Sequence, residues 1–202
     1  TATLGAVGLA MVLGAVNTLG TLLLYRSLTI GKISIVSPIT STFGGVALVL
    51  SLLAGDAIST GAIFSLVLML VGIVVVSTVR EEPQLASTRA PLRGLPEAVI
   101  AALALGLNSW GLQFVVAALG PYIPTFIGRT MTVLLLTLLA RPFCQSVALP
   151  PRSLWLIIGA VALITTLGEV AYNVGVQGTT PGIVAVLSSL FSPVTVLLAL
   201  IF

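Results

Sequence analysis

The chain has 202 residues, of which 58% are hydrophobic and only 6% are charged. Soluble domains carry charge at about a quarter of their positions, so this composition excludes a soluble globular protein and indicates an integral membrane protein. A single cysteine, Cys144, and the absence of histidine exclude an intrachain disulfide and a metal site built on these residues. No cofactor is expected.

About seven apolar stretches follow one another along the chain, each long enough to be a membrane-spanning helix. Glycine and proline separate them, since proline cannot continue a helix and glycine tolerates a turn. The predicted spans are residues 4–29, 33–54, 60–79, 96–119, 122–140, 153–178 and 181–202. The fold class expected is therefore all-α, a polytopic membrane helical bundle.

The basic residues lie on one side of these predicted spans. If the first span runs from face A to face B, the loops on face B hold seven basic residues and the loops on face A hold none. The seven are Arg26, Lys32, Arg80, Arg89, Arg93, Arg141 and Arg152. The positive-inside rule then places face B in the cytoplasm.

Residues 25–50 and 172–198 resemble each other. The matched pairs are Tyr25/Tyr172 and Gly31/Gly178 and, after one inserted residue, Ile35/Ile183, Val36/Val184, Ser41/Ser189, Phe43/Phe191 and Val46/Val194. Five predicted spans separate Gly31 from Gly178, and an odd number of crossings puts them on opposite faces. The sequence thus predicts an inverted repeat, the architecture of secondary transporters that bind their substrate near the midplane between the halves.

Two stretches carry a resemblance to a known family. These are "VAVLSSLFSPVTVLLA" (184–199) and "GPYIPTFIGRTMTVLLLTLLA" (120–140), the second with an arginine, Arg129, inside the helix. They resemble the EamA type of the drug/metabolite transporter superfamily, whose Gly-Glu turn reads Gly55-Asp56 here. The resemblance implies ten helices in two five-helix repeats, of which about seven are present, with two expected before Thr1 and one after Phe202.

On this interpretation the chain has three parts. Residues 1–79 form the C-terminal part of the first repeat, residues 80–95 form a polar linker, and residues 96–202 form the second repeat. Family members with both termini in the cytoplasm would place face B outside, whereas the basic residues place it inside, so two orientations stay open. The expected location is the cell (inner) membrane, as a multi-pass protein.

Two charges lie deep inside predicted spans, Arg129 and Glu169. At 1.5 Å per residue, both lie roughly 12–13 Å from face A, on antiparallel helices. A lone charge at the centre of a spanning helix costs about 2.5–3.5 kcal/mol, so we expect the two to neutralise each other or to meet a proton or ligand. Two interpretations remain: a site for a zwitterionic or charged substrate or a coupling proton, and a structural ion pair.

Other polar residues fall at similar depth and are candidates for substrate binding. Asn173 lies one turn beyond Glu169 on the same helix face, and Tyr172 lies beside it. The remaining candidates are Asn108, Trp110 and Gln113 in the fourth span and Asn17 and Tyr25 in the first. Hydrogen bonding between helices is the alternative for each. Pro38 and Pro193 lie within spans and should kink them.

The chain lacks the catalytic residues of known classes of intramembrane enzyme. Intramembrane aspartyl proteolysis needs two aspartates, and Asp56 is the only one, while a serine–histidine mechanism lacks its histidine. We therefore expect no enzyme, but a secondary transporter that exports small organic metabolites such as amino acids. The alternatives are proton-coupled multidrug or cation efflux and a non-transporting structural bundle. Expected partners are the lipid bilayer, a small-molecule substrate and, as options, protons and a second copy in a homodimer; nucleic acid is not expected.

Overall fold

The computed structural model describes residues 2–31, 33–55, 94–140 and 151–189, together with Phe64, Val67 and Val71. This part of the chain is helical and contains no β-strand. The helices with described bounds are α1 (Ala2–Ile30), α2 (Ile33–Ser41), α3 (Phe43–Leu53), α4 (Leu95–Leu119), α5 (Ile123–Ala140), α6 (Trp155–Gly178) and α7 (Pro181–Ser189). A single 3-10 turn, Arg152–Leu154, leads into α6.

Among the described residues, three helices are long and apolar enough to cross a membrane. They comprise Thr3–Ile30, Leu95–Leu119 and Arg152–Gly178, while Pro38–Leu53 and Ile123–Leu139 are shorter apolar stretches. The all-helical class predicted from composition is therefore confirmed for the described residues, and their long apolar helices are compatible with a membrane protein. The predicted span 60–79, the C-terminal part of span 181–202 and Pro193 lie outside those residues, so the count of seven spans stays a prediction.

The predicted span 33–54 is not one helix, because it is divided at Thr42 into α2 and α3. Pro38 lies inside α2 and has no N–H to donate to the preceding turn. One turn later, the Thr42 amide donates to the Ile39 carbonyl at 3.1 Å, and the Thr42 hydroxyl donates to the same oxygen at 2.6 Å. The tightened turn interrupts the helix near the middle of the predicted span.

The end of α4 explains where the next helix begins. Gly120 has a φ of 78°, a left-handed conformation that suits glycine because it has no Cβ. Its amide donates to the Val116 carbonyl at 2.9 Å, which closes the last turn. Pro121 follows at a position where no amide hydrogen is needed. This turn places the Pro121 carbonyl just before α5.

The described chain separates into two compact units, each built from distant parts of the sequence. The first comprises Thr1–Thr18 and Gly111–Gly178, and the second comprises Leu19–Trp110 and Thr179–Phe202. Two of the three boundaries fall within continuous helices, α1 and α4, and the third follows the end of α6 at Gly178. The division into sequence repeats stays a prediction.

In the first unit, α1 packs against α4 and α5 through small residues. Leu13 is buried beside Val115, and Gly111 leaves room for Leu13, whose Cδ2 atom would lie 2.7 Å from an added Cβ. On its other side, Gly14 approaches Gly128, whose Cα would lie 3.1 Å from a Cβ at position 14. Close approach at small residues is the usual way in which membrane helices gain van der Waals contact.

A hydrogen bond between two threonines adds to the contact of α1 with α5. The hydroxyls of Thr18 and Thr132 lie 2.9 Å apart, and they also lie 2.8 Å and 3.0 Å from the carbonyls of Gly14 and Gly128 in their own helices. Each hydroxyl has one hydrogen, so one threonine donates to its own helix while the other donates across. The two hydroxyls therefore act as one unit.

We expect Thr18→Val and Thr132→Val each to lower the free energy of unfolding by about 0.6–1.7 kcal/mol, the range for interhelical hydrogen bonds in membranes. The double variant should lose little more than either single variant, because both remove the same bond. Unfolding by SDS titration in micelles measures the three losses. Thr137→Val is the control, since its hydroxyl donates within α5 to Val133. Fully additive losses would contradict the shared bond.

The second unit is held by equally close contacts among its own helices. Leu48 of α3 packs on Val186 and Ile183 of α7, and an added Cβ at Gly182 would lie 2.6 Å from the Leu48 Cδ1 atom. An added Cβ at Gly106 of α4 would lie 2.6 Å from the Val46 Cβ atom and 2.8 Å from the Phe43 carbonyl oxygen of α3. Glycine is thus favoured at positions 106 and 182, where an added Cβ would overlap atoms of α3.

Candidate functional site

Four polar residues, two on α5 and two on α6, make two successive contacts within the first unit. Thr125 and Arg129 are four residues apart on α5, and Glu169 and Asn173 are four apart on α6, so each two share a helix face. Asn173 contacts Thr125, and Glu169 contacts Arg129. Moving from Thr125 to Arg129 along α5 thus corresponds to moving from Asn173 back to Glu169 along α6, as expected for antiparallel helices.

The first contact is the ion pair between Arg129 and Glu169, one of the possibilities that the sequence left open. Arg129 Nη2 lies 3.1 Å from Glu169 Oε1, and the two side chains are 41% and 42% exposed. The Nη2 and Nε atoms of Arg129 are nevertheless buried, and neither makes an aligned hydrogen bond within the described residues. The contact is therefore an attraction between charges that lacks a directed hydrogen bond.

The second contact orients the side chain of Asn173, which is 2% exposed. Its Nδ2 atom donates to the Pro121 carbonyl at 2.9 Å and to the Thr125 hydroxyl at 3.0 Å. The amide oxygen, Oδ1, is buried and has no hydrogen-bond partner among the described residues. A buried acceptor left without a partner costs about 1–3 kcal/mol, so this oxygen is a place where a donor would bind favourably.

The exposure of the Arg129–Glu169 pair restricts what it can face. Both residues lie inside helices, Glu169 about 13 Å from the end of α6 at 1.5 Å per residue. Charged side chains at such depth face a bundle interior or a water-filled cavity, because hydrocarbon chains cannot solvate them. Within a bilayer, lipid tails would not be an acceptable environment for the exposed two-fifths of each side chain.

The other predicted site residues lie elsewhere in the described chain. Tyr172 neighbours Asn173 on α6 and is partly buried, and Gln113 and Asn17 are partly buried in the first unit. Asn108, Trp110 and Tyr25 belong to the second unit, where Tyr25 is 63% exposed. Asn17, Asn108, Trp110 and Tyr172 take part in interactions of their own. The residues that the structure brings into direct polar contact are thus Arg129, Glu169 and, through Thr125, Asn173.

Sequence reasoning missed Thr125 and the Pro121 carbonyl. The signal was present, since Thr125 lies one turn before Arg129, as Asn173 lies one turn after Glu169. Combining this spacing with antiparallel helices pairs Thr125 with Asn173. Among the described residues, no three acidic, cysteine or histidine side chains gather as metal ligands would.

The chain matches no model of a known protein family, no curated protein and no solved structure. The function must therefore be argued from the geometry of the site and from the sequence pattern.

Proposed function

We propose that the protein is a secondary transporter that exports small organic metabolites such as amino acids. The observation that carries the proposal is the Arg129–Glu169 pair, two half-exposed charges inside helices of a membrane bundle. Ionisable residues at such depth are costly, and in membrane proteins they mark substrate, ion or proton pathways. Arg129 also lies in the stretch that resembles the EamA type of the drug/metabolite transporter superfamily.

The strength of the ion pair suits a site that must open and close. A transporter has to make and break contacts in each cycle, so no single contact can hold its helices with a large free energy. Arg129 and Glu169 meet through one short contact that lacks hydrogen-bond alignment and is partly exposed. A substrate with charged groups can replace this contact with better aligned hydrogen bonds.

The remaining support comes from the internal repeat. The proposed architecture is an inverted repeat of two five-helix halves, with about seven of the ten spans in this chain. Its sequence copies lie in residues 25–50 and 172–198, and α3 and α7, which belong to these two segments, pack together in the second unit. Alternating access would take place around a midplane cavity between the repeats. We place the protein in the cell (inner) membrane.

Proton-coupled multidrug or cation efflux is the second candidate. Glu169 would then exchange between Arg129, a proton and a cationic substrate, and its 42% exposed side chain favours such exchange. A purely structural bundle is the third candidate, with the Arg129–Glu169 pair fastening α5 to α6. Transport measurements separate these possibilities.

The proposal predicts substrate-dependent flux by the purified protein in proteoliposomes. We expect saturable counterflow of at least one compound from a panel of radiolabelled amino acids, other carboxylates, amines and quaternary ammonium cations. Far-UV circular dichroism of the same preparation provides the folding control. A folded protein that transports no compound in the panel would contradict the transporter proposal. Flux of cations alone would favour the second candidate.

A further inference from the structure

Asn173 presents an acceptor whose orientation is determined by its neighbours. The carbonyl of Pro121 can only accept a hydrogen bond, so the Asn173 group that contacts it at 2.9 Å must be the NH2 group. The second contact, to Thr125 at 3.0 Å, lies on the same side of the amide. The orientation of the amide is therefore fixed, and its buried Oδ1 atom has no donor among the described residues.

Arg129 presents the complementary group one turn away. Its Nε–H is buried and has no hydrogen-bond acceptor in the described part of the chain, although Nη2 lies beside Glu169. Four residues separate the Asn173 level from the Glu169 level on α6, which is about 6 Å along the helix axis. A free acceptor on α6 and a free donor on α5 thus belong to neighbouring contacts, about one helical turn apart.

Charge balance selects among ligands for these two groups. Arg129 and Glu169 together are neutral, and a ligand without net charge keeps the site neutral inside the membrane. A lone cation or a lone anion would add an uncompensated charge at membrane depth, which weakens binding about a hundredfold. The site therefore favours a molecule that carries both charges.

We propose that the Arg129–Glu169–Asn173 cluster is a recognition site for a zwitterion such as an α-amino acid. The ammonium group donates to Asn173 Oδ1 and faces the Glu169 carboxylate, and the carboxylate group accepts from Arg129 Nε. This inference rests on the proposed function and deepens it, because it assigns each charge of the substrate to a side chain. It also makes Asn173 a specificity-determining residue.

The test begins with ligand chemistry on the unaltered protein. Each of the common L-amino acids is screened by thermal shift and equilibrium binding in detergent, and the tightest binder is compared with three relatives. These are its decarboxylated amine, its deaminated acid, and its N-trimethyl form, which keeps the charge but has no N–H. We expect the first two to bind about a hundredfold more weakly, and the third at least about tenfold more weakly.

Substitution of Asn173 tests the assignment of the acceptor. We expect Asn173→Leu to weaken zwitterion binding about ten- to a hundredfold, the effect of losing a hydrogen bond to a charged group. Gln177→Leu is the matched control, because Gln177 is an exposed amide on the same helix, one turn further on. Its binding should stay unchanged. Thermal unfolding of both variants is recorded, and the ligand series on the unaltered protein does not depend on either variant.

The outcomes separate this inference from the proposed function. If no amino acid binds, the zwitterion site is overturned. It is also overturned if the amine or the acid binds as tightly as the parent amino acid. Unchanged binding in a folded Asn173→Leu variant overturns the role of Asn173. If the same preparation then moves a non-zwitterionic compound in proteoliposomes, the transporter stands without this site. If an amino acid binds as expected and no compound is moved, the site stands and transport fails.

Discussion

Replacing either Arg129 or Glu169 by glutamine should destabilise the protein by about 1–3 kcal/mol. Each single variant leaves the opposite charge inside an apolar helix without its partner at 3.1 Å. Loss of one member of a fully buried pair costs about 3–5 kcal/mol, and the smaller value expected here reflects side chains that are about two-fifths exposed. SDS titration of the purified variants in micelles measures the loss.

The double variant Arg129→Gln with Glu169→Gln should regain most of this stability, because it leaves no unpaired charge. Arg26→Gln is the matched control: Arg26 lies 3.9 Å from Glu97 with a side chain that is 69% exposed, and such pairs contribute about 0–1 kcal/mol. A double variant as unstable as the sum of the two single variants would show that each side chain is required for reasons other than the charge of its partner.

The second large effect concerns Gly106, where α4 meets α3. We expect Gly106→Ala to destabilise the protein by about 1–3 kcal/mol, the usual cost of overpacking a close contact. The added Cβ would lie 2.6 Å from the Val46 Cβ atom and 2.8 Å from the Phe43 carbonyl oxygen. Because the carbonyl belongs to the backbone, no rotation of a side chain relieves the overlap. Thermal unfolding in detergent measures the change.

Gly159→Ala provides a control with the opposite sign. Gly159 lies inside α6, and an added Cβ there has no atom within 4 Å. Alanine favours the helical state over glycine by about 1 kcal/mol, so this variant should be neutral or slightly more stable. If Gly106→Ala and Gly159→Ala changed the thermal stability equally, α3 and α4 would not approach as closely as the structure indicates.

The helices were largely predictable because their limits depend on local chemistry. The predicted spans 4–29 and 96–119 agree with α1 and α4 to within two residues, since glycine and proline end each apolar run. The break at Thr42 was not predicted. Pro38 indicated a kink, but the interruption one turn later depends on the Thr42 amide and hydroxyl both bonding to Ile39. In a regular helix the Thr42 amide would donate to the Pro38 carbonyl, four residues back. The residue types alone do not show that it donates to Ile39 instead.

The candidate site was predictable where helix periodicity determines it. The depth of Arg129 and Glu169 on antiparallel helices indicated their pairing, and the structure confirms the contact. The bond from Asn173 to the Pro121 carbonyl was not predictable from periodicity, because it depends on how the turn at Gly120 presents one backbone oxygen. Contacts such as Gly14 with Gly128 join positions far apart in sequence, and many glycines in such a chain are equally good candidates for close approach.

The most direct test of the central claim compares flux by the unaltered protein and by the double variant Arg129→Gln with Glu169→Gln in proteoliposomes. The double variant removes both charges together, so folding and transport can be judged separately. If the Arg129–Glu169 pair engages the substrate, the variant will fold, keep most of its stability and lose counterflow. Counterflow at the unaltered rate by the double variant would contradict the account and leave the pair as a structural contact between α5 and α6.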